Sequence, residues 1–228
     1  MRNMFARSVR IAFGIFLVAG IVPAATISGT VTASDGKAVR ASLTIHDLST
    51  VRVKGSAAFD RQFGSRADGS FALAGVPAGT YEICVDAPHE GLLDPCVWSE
   101  AGKFSVSTAD VAKLAVVAQR GQFTQLRVND AGSILEDSKT KNTGGHLAIT
   151  VQSGGGKFHH FRLLSSDLGG QSHYAVLPIG VPLTVTVSSA DFAVKDEKNN
   201  RAAGDTLRIP VVVKSGESKT ISVGIERK

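Results

Sequence analysis

The chain has 228 residues, of which 25 are lysine or arginine and 20 are aspartate or glutamate, giving a formal net charge of +5. This length suffices for two domains of ordinary size. Three arginines lie in the first 25 residues, so the remaining chain has a formal net charge of +2. Its basic side chains are scattered among acidic ones without interleaved aromatic residues, so nucleic acid is not expected as a partner.

Residues 1–25 have the pattern of a secretory signal peptide. The three arginines precede an apolar run over residues 11–22, and the small residues Ala24 and Ala25 follow. The run is short for a membrane anchor, although an uncleaved N-terminal anchor is the alternative. We therefore expect a secreted or periplasmic bacterial protein with no transmembrane segment in the mature chain.

The next segment predicts a β-strand, a tight turn and a second β-strand. Ile27 and Val31 alternate with polar neighbours, as in a strand with one solvated face. Residues 34–37, Ser-Asp-Gly-Lys, are typical of a hairpin turn. Apolar residues then recur at every second position from Val39 to Ile45, which indicates that this strand also has one apolar face.

Residues 66–85, RADGSFALAGVPAGTYEICV, predict two further strands and two turns. Asp68-Gly69 favours a type I′ hairpin turn, and the strand that follows it alternates through Phe71 and Leu73. Val-Pro-Ala-Gly at residues 76–79 favours a type I turn. The alternation then resumes over residues 81–85.

Residues 66–85, together with the opening segment ISGTVTASDGKAV, resemble the carboxypeptidase regulatory-like domain, a transthyretin-like β-sandwich of many secreted bacterial proteins. The resemblance covers residues 26–120 and implies a β-sandwich scaffold that is similar to carbohydrate-binding sandwiches. Metallocarboxypeptidases carry this domain beside a zinc peptidase domain, which the sequence lacks.

Two cysteines remain in a chain that is expected to be exported. An even number of cysteines in an oxidising compartment favours a disulfide between Cys84 and Cys96. The alternative is a pair of buried free thiols. Short strands are predicted at residues 96–98 and 104–107, and a closing strand at residues 114–118.

Gly121 marks the predicted end of the first domain, and residues 121–228 predict a second β-sandwich. Apolar residues alternate with polar ones over residues 147–151, 183–187, 209–213 and 221–225. Pro210 within one of these runs indicates an edge strand or a bulge. Residues 173–187 repeat the strand, Pro/Gly turn and strand of residues 70–85. The predicted fold class is therefore all-β, with two immunoglobulin-like or transthyretin-like β-sandwiches in tandem.

No catalytic, metal or cofactor site is predicted. The adjacent residues His159 and His160 would point to opposite faces of a strand, which does not favour a shared metal ion. The segment Gly-Gly-Gly-Lys at residues 154–157 lacks the following serine or threonine of a phosphate loop. No nucleophile motif of a hydrolase is present.

The expected function is that of a non-catalytic exported binding module with a glycan or a cell-envelope protein as partner. Trp98 could stack on a sugar ring, with His89, Glu90 and Asp94 as polar neighbours in the loop that the disulfide closes. Alternatively, Trp98 packs over the disulfide as part of the core. The other functional hypotheses are a structural or adhesion spacer and an enzyme with an unrecognised site.

The first prediction concerns the covalent state of the exported protein. We expect its intact mass to lack residues 1–24 or 1–25, and two further hydrogens because Cys84 and Cys96 are joined. Mass spectrometry with and without reduction and alkylation measures both. A full-length N-terminus, or two thiols that are alkylated without reduction, would contradict it.

Overall fold

The computed structural model describes residues 24–49, 58–99, 101–135, 146–154, 158–167 and 169–228. The elements that can be bounded within these residues include four β-sheets, the four-residue α-helix Pro95–Trp98 and two short 3₁₀ helices. The predicted all-β fold is confirmed. The predicted signal peptide falls almost entirely on residues 1–23, and the predicted Gly turn partly on residues 155–157, both outside the described residues.

The first β-sandwich takes all its strands from the first half of the chain. They are β1 (Ala25–Ala33), β2 (Ser42–Asp47), β3 (Arg61–Gly64), β4 (Ser70–Val76), β5 (Gly79–Asp86), β6 (Phe104–Val106) and β7 (Val111–Ala118). One sheet has the order β4-β1-β7 and the other the order β3-β2-β5-β6. Strand β1 is antiparallel to β4 and parallel to β7, so the last strand lies beside the first.

The second β-sandwich takes its strands from the rest of the chain. They are β8 (Gln122–Asn129), β9 (Leu147–Ser153), β10 (Phe158–His160), β11 (Arg162–Asp167), β12 (Gly170–Leu177), β13 (Leu183–Ser189), β14 (Phe192–Lys195), β15 (Thr206–Val211) and β16 (Lys219–Arg227). The sheet orders are β11-β12-β8-β16-β14 and β10-β9-β13-β15. Pro210 lies in β15, which is an edge strand as predicted.

The two sandwiches have the same strand order. The order β4-β1-β7 corresponds to β12-β8-β16, and β3-β2-β5-β6 corresponds to β10-β9-β13-β15. In both, the last strand runs parallel to the first. The second sandwich has β11 and β14 in addition. The similarity between residues 70–85 and 173–187 therefore reflects equivalent positions in the same topology.

The turns at residues 68–69 and 76–79 do not join paired strands of one sheet, as a hairpin would. Gly69 has a φ of 76°, but among the described non-glycine residues with positive φ Asp68 does not occur, so the turn is not type I′. The strands on either side, β3 and β4, lie in different sheets, as do β4 and β5 around Pro77. These turns lead the chain from one sheet to the other, because β4 pairs with β1 and β5 pairs with β2.

Each sandwich encloses its own apolar core. The first contains the alternating residues that were predicted, such as Ile27, Val31, Leu43 and Ile45, all of them fully buried. In the second, one face of β13 and one of β16 supply the interior side chains. Alternation predicts these positions correctly because successive side chains of a strand point to opposite faces.

No helix in the described part of the chain is both long enough and apolar enough to cross a lipid bilayer.

The second prediction concerns the domain boundary. Because all strands and core residues of the first sandwich lie before Arg120, we expect residues 26–120 expressed alone to be soluble and to melt cooperatively. Circular dichroism and calorimetry of this fragment, with the mature chain as reference, provide the measurement. An unfolded fragment would show that the two sandwiches form one folding unit.

Candidate functional site at the junction of the sandwiches

A disulfide bond joins Cys84 on β5 to Cys96 on helix α1 (Pro95–Trp98), as the sequence predicts. The Cα atoms are 5.2 Å apart, and the sequence separation is 12. Closing a loop of this length in the unfolded chain is worth roughly 3 kcal/mol by the chain-entropy estimate. The bond also fixes α1 against β5.

The strand predicted for residues 96–98 is wrong, since these residues form the single turn of α1. Asp94 is the N-cap, and its Oδ1 accepts a hydrogen bond from the backbone N–H of Cys96 at 3.0 Å. Pro95 follows in the first turn, where its fixed φ suits a helix and its missing N–H costs nothing. This Asp-Pro pair is the sequence signal for the helix, and alternation over three residues was too short to outweigh it.

Asp94 also connects α1 to β5. The same Oδ1 accepts a hydrogen bond from the backbone N–H of Val85 at 3.3 Å. Burial raises the pKa of Asp94 above its usual value, while the two bound N–H groups and the nearby Arg162 oppose the rise. The carboxylate is thus partly withdrawn from water, and its hydrogen bonds offset only part of the cost of that desolvation.

Trp98 packs against the core of the second sandwich, although it belongs to the first half of the chain. Its half-buried ring lies beside the ring of His159 on β10, with the ring centroids 5.9 Å apart and the ring planes inclined by 56°. Strand β10 has three residues and lies at the edge of its sheet. Trp98 therefore covers an open edge of the second sandwich.

An ion pair lies next to this contact. The guanidinium of Arg162, at the start of β11, donates a hydrogen bond to the carboxylate of Asp86, at the end of β5. The hydrogen bond to Asp86 raises the pKa of Arg162. Burial lowers the pKa of His159, and the positive charge of Arg162 lowers it further. We call Asp86, Asp94, Trp98, His159 and Arg162 the junction.

The loop before α1 is also hydrogen-bonded to the chain at the predicted domain boundary. The N–H of Gly121 donates to the carbonyl of Gly91 at 2.8 Å, and the N–H of Leu93 donates to the carbonyl of Gln119 at 2.9 Å. A Cβ at position 121 would lie 2.7 Å from the carbonyl oxygen of Leu177 and 2.5 Å from Leu93 Cδ2. Glycine is needed here because the two sandwiches approach so closely.

The four predicted binding residues are only partly brought together. Asp94 and Trp98 line one cavity with His159 and Arg162. His89 and Glu90 lie in the 3₁₀ helix Pro88–Glu90, are exposed and do not line that cavity. The Glu90 carbonyl accepts a hydrogen bond from Arg120 at 3.0 Å, and this arginine also pairs with Asp35.

Two spaces adjoin the junction. The smaller one has a volume of about 30 Å³, which is room for one or two waters and not for an organic ligand. The second is an open groove with a volume of about 740 Å³ on the outer face of β2, β3 and β5. We call it the polar groove; it includes Thr44, His46, Asp60, Gln62, Glu82 and Arg162.

The described residues contain one group whose donor atoms are close enough to hold a metal ion, Glu82, Cys84 and Cys96. Both sulfur atoms of this group are bonded to each other. A thiolate is the form of cysteine that binds metals, so the oxidised protein offers only the carboxylate here.

Sequence reasoning missed Asp86 and Arg162, and it noticed His159 only as a potential metal ligand. Asp86 and Arg162 are 76 residues apart in the chain. Neither belongs to a motif, because their pairing depends on how the two sandwiches meet. The half-core, half-solvent pattern expected for the histidine pair agrees with a half-buried His159 and an exposed His160.

No protein-family model matches the chain, and no curated protein sequence matches it. Among solved structures, the chain is similar to a Streptococcal ancillary pilin, with 9% identity and a TM-score of 0.39 over 91% of this chain and 64% of the pilin. It is also similar to a DUF3823 family protein from Bacteroides uniformis, with 14% identity and a TM-score of 0.33 over 84% of this chain and 100% of that one.

The shaft pilin SpaA from Lactobacillus rhamnosus GG has 13% identity and a TM-score of 0.32, over 90% of this chain and 99% of the pilin. At such low TM-scores, these likenesses carry no conclusion about the function of this chain. The resemblance to the carboxypeptidase regulatory-like domain stays a prediction.

The third prediction tests the structural role of Asp94. Asp94→Ala removes the cap of α1 and the hydrogen bond to Val85, so we expect a loss of about 1–3 kcal/mol in the free energy of unfolding. The emission of Trp98 should also shift to longer wavelength as the ring becomes more solvated. Denaturant unfolding followed by fluorescence measures both effects.

The matched control is Glu90→Ala, which changes an exposed carboxylate in the same loop and should stay within about 0.5 kcal/mol of the wild type. Asp94→Asn keeps an acceptor oxygen and should lie between the two. An Asp94→Ala protein as stable as the control would refute the role given to this carboxylate.

Proposed function

We propose that this chain is an exported, non-catalytic module whose two β-sandwiches form a structural or adhesion spacer that presents loops to a protein of the cell envelope. The observation that carries the proposal is the junction. The disulfide fixes α1 within the first half of the chain, and Trp98 of this helix together with the ion pair of Asp86 and Arg162 holds the second sandwich against it. A spacer needs such a fixed relation, because a flexible link would not keep the distance between its ends.

The position of Trp98 favours a spacer over a glycan-binding loop. Sugar stacking requires an exposed aromatic face, whereas the ring of the single tryptophan packs on His159 and the second core. Asp94, its proposed polar partner, is engaged by two backbone N–H groups. The packing of Trp98 and the hydrogen bonds of Asp94 therefore compete with the binding of a ligand to these side chains.

The proposal includes membership of the carboxypeptidase regulatory-like class for the first sandwich, with a division into domains at Arg120-Gly121. The shared strand order of the two halves supports a related module in the second half. The disulfide supports an oxidising compartment, and hence export to the periplasm or the cell exterior.

A non-catalytic role agrees with the surroundings of two groups whose pKa values are shifted, Asp94 and Arg162. Perturbed pKa values often mark active sites, but structural contacts shift them as well. Asp94 caps a helix, and Arg162 pairs with Asp86. Burial accounts for the raised pKa of Asp94, and the hydrogen bond to Asp86 accounts for the raised pKa of Arg162, so neither shift requires a catalytic role.

The polar groove supports a second candidate function, the binding of a glycan or another envelope polymer. Its volume of about 740 Å³ can admit several sugar rings, and its amide, hydroxyl and carboxylate side chains can bind hydroxyl groups. Glu82 lines the groove. This candidate places the ligand on the face of a sheet and not in the loop around His89.

The fourth prediction separates the two functions. For a spacer, we expect no heat of binding and no change in Trp98 emission when soluble peptidoglycan fragments or chitooligosaccharides are added. Trp98→Ala should cost about 2–3 kcal/mol of stability, because a half-buried ring is lost from the junction, and should increase the maximum dimension in small-angle X-ray scattering.

Gln62→Ala, in the polar groove, is the control and should leave the scattering unchanged. A saccharide that binds to the wild type but not to Gln62→Ala would support the glycan candidate. A Trp98→Ala protein with the scattering curve of the wild type would contradict the rigid junction.

A further inference from the structure

His159 is placed where a positive charge would be poorly accommodated. Its Cα pairs in register with that of Val151, a fully buried core residue, and its ring is covered by Trp98. An imidazole in this position has lost part of its hydration and lies at the edge of an apolar core. The neutral form tolerates this exchange better than the imidazolium.

The ionisable groups around His159 come from five elements. They are His160 on β10, Arg162 on β11, Asp86 on β5, Asp94 before α1 and Tyr174 on β12. The negative charge of Asp86 raises the pKa of the histidine, but Asp86 is already paired with Arg162. Asp94 has its oxygen bound to backbone N–H groups. The pair therefore leaves little net attraction for a second cation.

We propose that the junction is a pH-responsive joint, in which protonation of His159 weakens the packing of Trp98 and α1 against the second sandwich. The charge would arise at the aromatic contact, beside the guanidinium of Arg162. A small acidification would then free the two sandwiches to move relative to each other while both stay folded. This behaviour goes beyond the proposed spacer role and does not depend on it.

The direction of the effect follows from the protonation of His159 in the two arrangements. Burial lowers its pKa below the usual 6.5, Arg162 and His160 lower it further, and Asp86 opposes them. When the junction opens, the ring regains water and the pKa returns towards its usual value. The closed junction is therefore fully stable above this value and loses stability as the pH falls through the lowered pKa.

Asp94 acts in the opposite direction. Its pKa is raised in the folded protein, so the folded state takes up this proton more readily than the unfolded state as the pH falls. This uptake stabilises the closed form at acidic pH. For that reason the test compares variants at each pH, because the difference between wild type and a His159 variant isolates the imidazole.

The single tryptophan is a specific probe of the joint, since no other residue contributes indole emission. We expect the Trp98 emission of the mature chain to change between about pH 7.5 and about pH 4.5, with a midpoint below the usual histidine value. His159→Gln should abolish this transition. His160→Gln, which changes the exposed neighbour on the same strand, should retain it.

Small-angle X-ray scattering at the two ends of this range tests whether the joint opens, because an imidazolium can quench indole emission without any movement. We expect a larger maximum dimension at the acidic end for the wild type and for His160→Gln, but not for His159→Gln. Unchanged dimensions in the wild type would overturn the proposal, as would a transition that persists in His159→Gln.

Asp86→Asn provides a second test that does not alter the histidine. With its partner removed, the charge of Arg162 acts more strongly on His159, so the midpoint of the histidine titration, followed through its ring protons by NMR, should fall. Far-UV circular dichroism at each pH checks that the sandwiches remain folded. A midpoint equal to that of the wild type would contradict the proposed electrostatic coupling.

Discussion

The disulfide between Cys84 and Cys96 is the constraint on which the junction depends. A four-residue helix has too few internal hydrogen bonds to persist by itself. In this protein α1 is held by the disulfide, by the carboxylate of Asp94 and by Pro95 at its first position. Because Trp98 is the last residue of this helix, the bond that fixes the helix also determines where the indole lies.

The indole of Trp98 covers an exposed edge of the second sandwich. Open strand edges and the core between them are exposed wherever a sandwich ends in a short strand. Strand β10 is such an edge, and the chain leaves it after three residues to enter β11 in the other sheet. Trp98 covers this opening, and the ion pair of Asp86 with Arg162 lies at its rim. The apolar contact of Trp98 and the ion pair of Asp86 with Arg162 therefore stabilise the same edge of the second sandwich.

The sequence predicts the strands well and their partners poorly. Alternation at Leu43, Ile45 or Val185 reports which face is buried, and this depends only on local geometry. Sheet membership depends on turns such as Asp68-Gly69, which can join neighbours in one sheet or cross between two. The site was predicted least well, since Asp86 meets Arg162 only when both sandwiches are formed. Asp94 and Pro95 predict the start of α1, but the alternation over residues 96–98 led to the prediction of a strand instead.

Two of the elements that break the repeat, the α1 loop and β11, contribute to the junction. Between β5 and β6 the first sandwich has the disulfide-bonded loop and α1, where the second has β14 between β13 and β15. Between β10 and β12 the second sandwich has β11, where the first passes directly from β3 to β4. Trp98 comes from the first of these elements and Arg162 from the second. Two sandwiches with identical connections would lack both contacts, so the departures from the shared topology are what fix one sandwich against the other.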